Sequence, residues 1–263
     1  MRNDSTIFTL SSLVAALMAL ASLTGIFFQS SLYPDEGLRQ SFVANDVVNL
    51  VIGLPSLAAS AWFARRGRLA GLLFLPGALL YVLYNYLAYA VAMSQTFLLL
   101  PCLFLVGLSA YTLVRTILGM DTAAVQTTLA GSVPERLAAG VLIGFGALFF
   151  LRSIGQVVGI LAGQISLEGA EWGVMLADLV TTPLWVIGGV LLWQKRPLGY
   201  ACGLGLLFQA SMLFVGLLVF FLLQPFLSTL PFRMEDFVVI AGMSLVCIIP
   251  FGMFVRGMLA SQR

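Results

Sequence analysis

Three charged residues, an arginine and two aspartates, lie inside long apolar runs of this chain, where a charge is expensive and needs a partner. Arg152 follows Phe149-Phe150-Leu151, Asp178 follows Met175-Leu176-Ala177, and Asp46 follows Phe42-Val43-Ala44-Asn45. A charge at the bilayer centre costs about 2.5–3.5 kcal/mol on insertion scales, and such residues pair with one another or mark a substrate path. At about 1.5 Å per helical residue, Arg152 counted outward along its run and Asp178 counted inward along the next reach a similar depth. The connection between these runs is short, so the helices are expected to be neighbours and the charges to pair. Other polar residues fall at the same level: Asn45, Asp46 and Asn49 in the second run, Asn85 among Tyr81, Tyr84, Tyr86 and Tyr89 in the third, and Gln156 one turn from Arg152. Together they predict a polar, outward-opening cavity lined by the second, third, fifth and sixth helices. Its candidate ligand-binding residues are Arg152, Asp178, Asp46, Asn49, Asn85, Tyr84 and Gln156. Arg152 would meet an anion, Asp178 and Asp46 would tune it, and Asn85 and Tyr84 would donate hydrogen bonds.

Each of these residues has a plainer use. Arg152 and Asp178 would serve equally as a clasp that fixes helix register, and Asp46 as a helix cap near the headgroups. The tyrosines would form an interfacial aromatic belt, the use preferred for Tyr89. Tyr81, Asn85 and Tyr89 share one face at helical spacing, so that face is expected to point into the bundle. Gln209 is read as a packing hydrogen bond. Asn45-Asp46-x-x-Asn49 has the outline of the acidic motif with which intramembrane prenyltransferases hold magnesium and a diphosphate. Here Asn49 replaces the second acid and no second motif follows, so that reading is set aside.

Composition narrows the class. The chain of 263 residues is 60% hydrophobic and 9% charged, against about 25% charged for a soluble domain. Its net charge of +2 gives no basis for nucleic-acid binding. It has no histidine, which removes His-ligated zinc and haem and the Ser-His-Asp and Cys-His nucleophile systems. Cys102, Cys202 and Cys247 stand singly in apolar runs, as packing thiols rather than a redox pair or metal ribbon. No cofactor and no metal site is expected.

A spanning helix needs about 20 apolar residues, and on that rule the sequence predicts eight spans. They lie near Ile7–Phe28, Val43–Phe63, Leu69–Met93, Phe97–Leu118, Leu137–Leu161, Trp172–Trp193, Leu198–Leu223 and Phe237–Leu259. Ala19-Leu20-Ala21 resembles a signal cleavage site, but the run continues through Phe28 and Asp4 sits beside Arg2, so a retained helix is expected. With the N-terminus inside, the inner segments hold Arg2, Arg65, Arg66, Arg68, Arg115, Arg136, Lys195, Arg196, Arg256 and Arg263; the outer ones hold Arg39 and Arg233. Both termini are therefore expected in the cytoplasm, with anionic headgroups facing Arg65, Arg66 and Arg68.

Ser132-Val133-Pro134-Glu135 reads as a capping box that starts the fifth helix. The segment 121–136 then links a first four-helix half, 1–120, to a second, 137–263. Aligning Asp46 with Asp178 brings Pro55 near Pro183 and Trp62 near Trp193, as expected of parallel repeats. Gly140, Gly144, Gly155, Gly159 and Gly163 recur at a spacing that favours close helix packing within the chain.

The stretch from Asp46 through Arg65–Arg68 to Tyr81-Val82-Leu83-Tyr84-Asn85-Tyr86 resembles a group of prokaryotic multi-pass integral membrane proteins. The resemblance covers the second to fourth helices and implies a membrane fold, with no activity and no site residue. The fold class expected is all-α: a polytopic membrane bundle of about eight helices in two parallel four-helix repeats. The function expected is binding, and transport, of a small polar or anionic solute. Two other classes stay open: a structural or accessory membrane subunit, and a lipid-modifying enzyme using Asp46 and Asp178 with a metal. The partners expected are the lipid bilayer and the solute, with a homo-oligomer or membrane partner subunit left open and no nucleic acid.

Overall fold

The computed structural model describes residues 5–33, 35–94, 96–227 and 232–262. Arg2, Asp4 and Arg263 lie outside the described residues. Among those described, eight helices are long and apolar enough to cross a membrane. They are α1 (Ser5–Phe27), α2 (Glu36–Arg65), α3 (Leu69–Ala92), α4 (Leu99–Leu118), α5 (Glu135–Leu161), α6 (Gly169–Trp193), α7 (Pro197–Leu227) and α8 (Met234–Ala260). The chain is an all-α polytopic membrane helix bundle. Its outer faces carry exposed Leu20, Phe97, Leu100, Leu118 and Leu161, the surface that a lipid bilayer covers.

Helix starts depart from expectation where a cap decides them. α2 begins at Glu36, because the Asp35 side chain accepts from Leu38 N at 2.8 Å and caps the first turn. Asp46 therefore lies in mid-helix and is not a cap. The capping box expected at Ser132–Glu135 does not form: Pro134 takes the N-cap position, which leaves Ser132 outside the helix. Glu135 turns instead to accept from Gly131 N at 3.0 Å and from the Tyr200 hydroxyl at 2.7 Å. The capping box that does form joins Glu168 and Glu171 at the start of α6.

α2 is not uniform. Over Asn49–Gly53 it widens into a π turn, in which Leu54 N donates to Asn49 O. Pro55 supplies the cause: it lacks an N–H, and its ring crowds the carbonyl four residues back, so the turn opens by one residue.

α3 is the most buried of the eight, with 72% of its apolar window inside the bundle. It separates two apolar cores. One is built mainly from α1, α2, α3 and α4 around Met18, Leu57, Leu79 and Tyr86, with Met212 of α7. The other joins α3 to α5, α6, α7 and α8 around Leu142, Leu204, Leu207 and Phe254. The segment between α4 and α5 contains a short helix, Thr122–Leu129, that turns Val125 and Leu129 into the second core. Gln126 Nε2 ties it to Lys195 O at 2.7 Å.

The glycines that bring two helices into backbone contact are not those expected from spacing. A Cβ on Gly77 of α3 would stand 2.8 Å from the Gly205 carbonyl carbon of α7, so these two backbones touch. Beside Gly144 and Gly155 nothing lies within 4 Å, and Gly140 meets only the edge of Trp193 at 4.0 Å. That row faces outward because α5 turns Gly146 to α6 instead. Gly159 meets Ile165 just after the helix, and Gly163, with φ of +68°, ends it.

Candidate functional site

Between the two cores lies a cavity of about 380 Å³, with walls from α2, α3, α5, α6 and α7. The fifth wall, α7, was not anticipated: its Phe214, Leu217 and Phe220 carry no polar atom to signal a cavity. Phe149 and Trp185 meet edge to face at 6.3 Å, and with Phe214 they make the apolar side. The polar side holds Arg152, Asp178, Tyr84, Asn85, Gln156 and Asn45.

Asp178 is the centre of that side. Its side chain is 8% exposed. Tyr84 of α3 donates to Asp178 Oδ1 at 2.9 Å, and Arg152 Nη1 of α5 stands 3.7 Å from Oδ2. One carboxylate thus bridges three helices. Arg152 itself is 53% exposed at the side chain, and Asp178 is its one polar partner among the described residues. At 3.7 Å the pair lacks the short, two-pronged geometry of a tight arginine–carboxylate fork. A guanidinium has five N–H donors, so most of them have no protein partner among the described residues. One turn along α5, Gln156 Oε1 is buried with no hydrogen-bond partner. Buried polar atoms are satisfied in the great majority of cases, so this bare acceptor beside the cavity is an exception.

Asn45 and Asn85 form the opposite polar edge. Asn45 Nδ2 donates to Asn85 Oδ1 at 3.1 Å and to the Tyr89 hydroxyl at 3.3 Å, and Asn85 Nδ2 donates to Tyr81 O at 2.9 Å. Two of the candidate residues do not line the cavity. Asn49, wholly buried, accepts from the Tyr81 hydroxyl at 3.3 Å through Oδ1, while its Nδ2 has no partner. Asp46 faces α1 and the α1–α2 connection, where Tyr33 donates to Oδ2, and Tyr89 of α3 donates to Oδ1 at 2.9 Å. Burial, and then the Asp46 carboxylate beside it, push the Tyr33 phenol above its ordinary range, so it stays a hydroxyl donor.

Tyr89 is accordingly not a belt residue: it is 4% exposed and stacks on Tyr86. Gln209 does make the packing bond, accepting from Trp185 Nε1 at 2.5 Å. Arg66 and Arg65 lie over the Trp62 and Phe8 rings at 3.9 and 4.4 Å.

Asp46 and Asp178 have separate partners, so they do not form a paired-acid site. Among the described residues no three His, Cys, Asp or Glu side chains gather to hold a metal. Tyr33, Ser22 and Gly25, which enclose Asp46, escaped the sequence reading because the first helix shows no charge to draw attention to them. No known family, curated protein or solved structure matches the chain.

Proposed function

We propose that this protein binds a small polar or anionic solute in the central cavity and carries it across the cell membrane, with both termini in the cytoplasm. One observation carries the reading: Arg152 lines a cavity of about 380 Å³ while held by a single loose contact at 3.7 Å. A guanidinium placed only to clasp two helices would be enclosed in its partner's hydrogen bonds. Here it keeps donors open toward space large enough for a solute.

An incoming anion competes with Asp178 for the guanidinium, and Asp178 keeps Tyr84 when it yields. Gln156 Oε1 supplies an acceptor for a hydroxyl or amine of the same solute. The aromatic wall of Phe149, Trp185 and Phe214 favours a solute with some apolar surface.

The test is to release and identify small molecules that copurify with the wild-type protein and with Arg152→Gln. The reading expects at least one anionic or polar compound held by the wild type and depleted in the variant. A hydrogen bond to a charged group contributes about 1.5–3 kcal/mol, so the depletion expected is roughly ten- to a hundredfold. Identical compounds in identical amounts would remove Arg152 from any binding role.

The clasp reading makes a different forecast. Arg152→Asp combined with Asp178→Arg restores folding if the pair is only structural. A double variant that folds yet holds no solute favours the binding role.

A further inference from the structure

Asp46 is a carboxylate without a countercharge. It is 1% exposed within the first apolar core, and no arginine or lysine among the described residues pairs with it. Every element packed against it presents neutral groups. α1 brings the Ser22 hydroxyl and the backbone at Gly25, where a Cβ would stand 2.8 Å from the Asp46 Cγ. The α1–α2 connection brings the Tyr33 phenol, α3 the phenols of Tyr86 and Tyr89, and α4 the Cys102 thiol. Isolated buried carboxylates are costly enough that they neutralise rather than stay charged.

The hydrogen bonds around Asp46 accommodate either form. Tyr89 has one hydroxyl proton and two acceptors in reach, Asp46 Oδ1 at 2.9 Å and Phe42 O at 3.2 Å. When Asp46 is ionised, Tyr89 donates to Oδ1. When a proton sits on Oδ1, the new O–H donates to the Tyr89 oxygen, and Tyr89 turns its own proton to Phe42 O. Tyr33 donates to Oδ2 in both states. No group is left unpaired either way, although a purely structural acid would need only one arrangement.

The same hydroxyl is one hydrogen bond away from the cavity wall. Tyr89 accepts from Asn45 Nδ2, which also holds Asn85, and both asparagines line the cavity wall. Asn45 and Asp46 are consecutive on α2, just before the π turn at Asn49–Gly53, a feature frequent at functional sites and hinges.

We propose that Asp46 is a proton-binding site that loads and releases one proton beside the solute cavity, with Tyr89 as the hydroxyl that reorients between the two states. Loading takes a proton from water onto the carboxylate; unloading returns it, and no other bond changes. The assignment of this proton as the coupling ion of transport rests on the function proposed above, whereas the site itself does not.

Infrared difference spectroscopy of the purified full chain across a pH titration tests it. The wild type should show a protonated-carboxyl stretching band that grows and vanishes with pH, and Asp46→Asn should lose it. Asp178→Asn and Arg152→Gln should both retain it. Tyr89→Phe should keep the band at a shifted frequency, because one hydrogen-bond partner is gone. If Asp46→Asn fails to fold, Asp46→Glu replaces it, and the titrating band must then move. Absence of a titrating band, a band constant at all pH values, or one indifferent to residues 46 and 89 overturns the proposal. Loss of solute retention in Arg152→Gln bears only on the cavity, so the two claims fail separately.

Discussion

Asp178 holds the polar side of the cavity together because one carboxylate accepts a hydrogen bond from Tyr84 of α3 and faces the Arg152 guanidinium of α5 at 3.7 Å. Removing the α3 donor tests that role. Tyr84→Phe keeps the ring and deletes a hydrogen bond to a charged acceptor at 2.9 Å, which should lower unfolding stability by about 1.5–3 kcal/mol. Denaturant titration in detergent measures it, and a change within about 0.5 kcal/mol would show that Tyr84 does not support the acid. Arg152 and Asp178 were legible in the sequence because a charge inside an apolar run stands out and its depth can be counted. What surrounds Asp46 was not legible. Helix rotation decides whether Tyr89 faces headgroups or an acid, and rotation depends on packing with α1, which offers only Ser22 and Gly25 as traces.

The helices were readable as runs, while their ends and faces followed from local contacts. Pro55 could be seen to interrupt α2, but not that the interruption would take the form of a π turn. Glycine spacing misled on α5, because spacing alone does not reveal which stripe meets a neighbour. That contrast yields a paired prediction. Gly77→Ala drives a methyl into the α7 backbone at Gly205, and overpacking of this kind costs about 1–3 kcal/mol. Gly144→Ala meets open space and should stabilise α5 by about 0.5–1 kcal/mol through reduced backbone freedom. Thermal unfolding of the two variants side by side checks both signs. Equal losses would mean that α5 buries its glycine row against something.

For the molecule as a whole, eight crossings by the eight candidate helices among the described residues would put both ends of the chain on one side. The excess of arginine and lysine at Arg65–Arg68, Arg136 and Lys195–Arg196 supports that side being the cytoplasm. Single reporter cysteines check the orientation. Gln164→Cys, exposed between α5 and α6, should react with a membrane-impermeant maleimide added outside intact cells. Thr127→Cys, exposed between α4 and α5, should react only after permeabilisation. The reverse pattern would invert the topology.

Thermal stability against a panel of small anions reads out whether Arg152 offers its guanidinium to a solute. Phosphate, sulfate and short carboxylates would be titrated against wild type, Arg152→Lys and Arg152→Gln. A ligand at a hundredfold excess over its Kd stabilises the folded state by about 2.7 kcal/mol. At least one of these anions should raise the wild-type Tm, lysine should keep part of the effect, and glutamine should abolish it without lowering the unliganded Tm. A wild-type Tm indifferent to the whole panel, or one raised equally in Arg152→Gln, would contradict it.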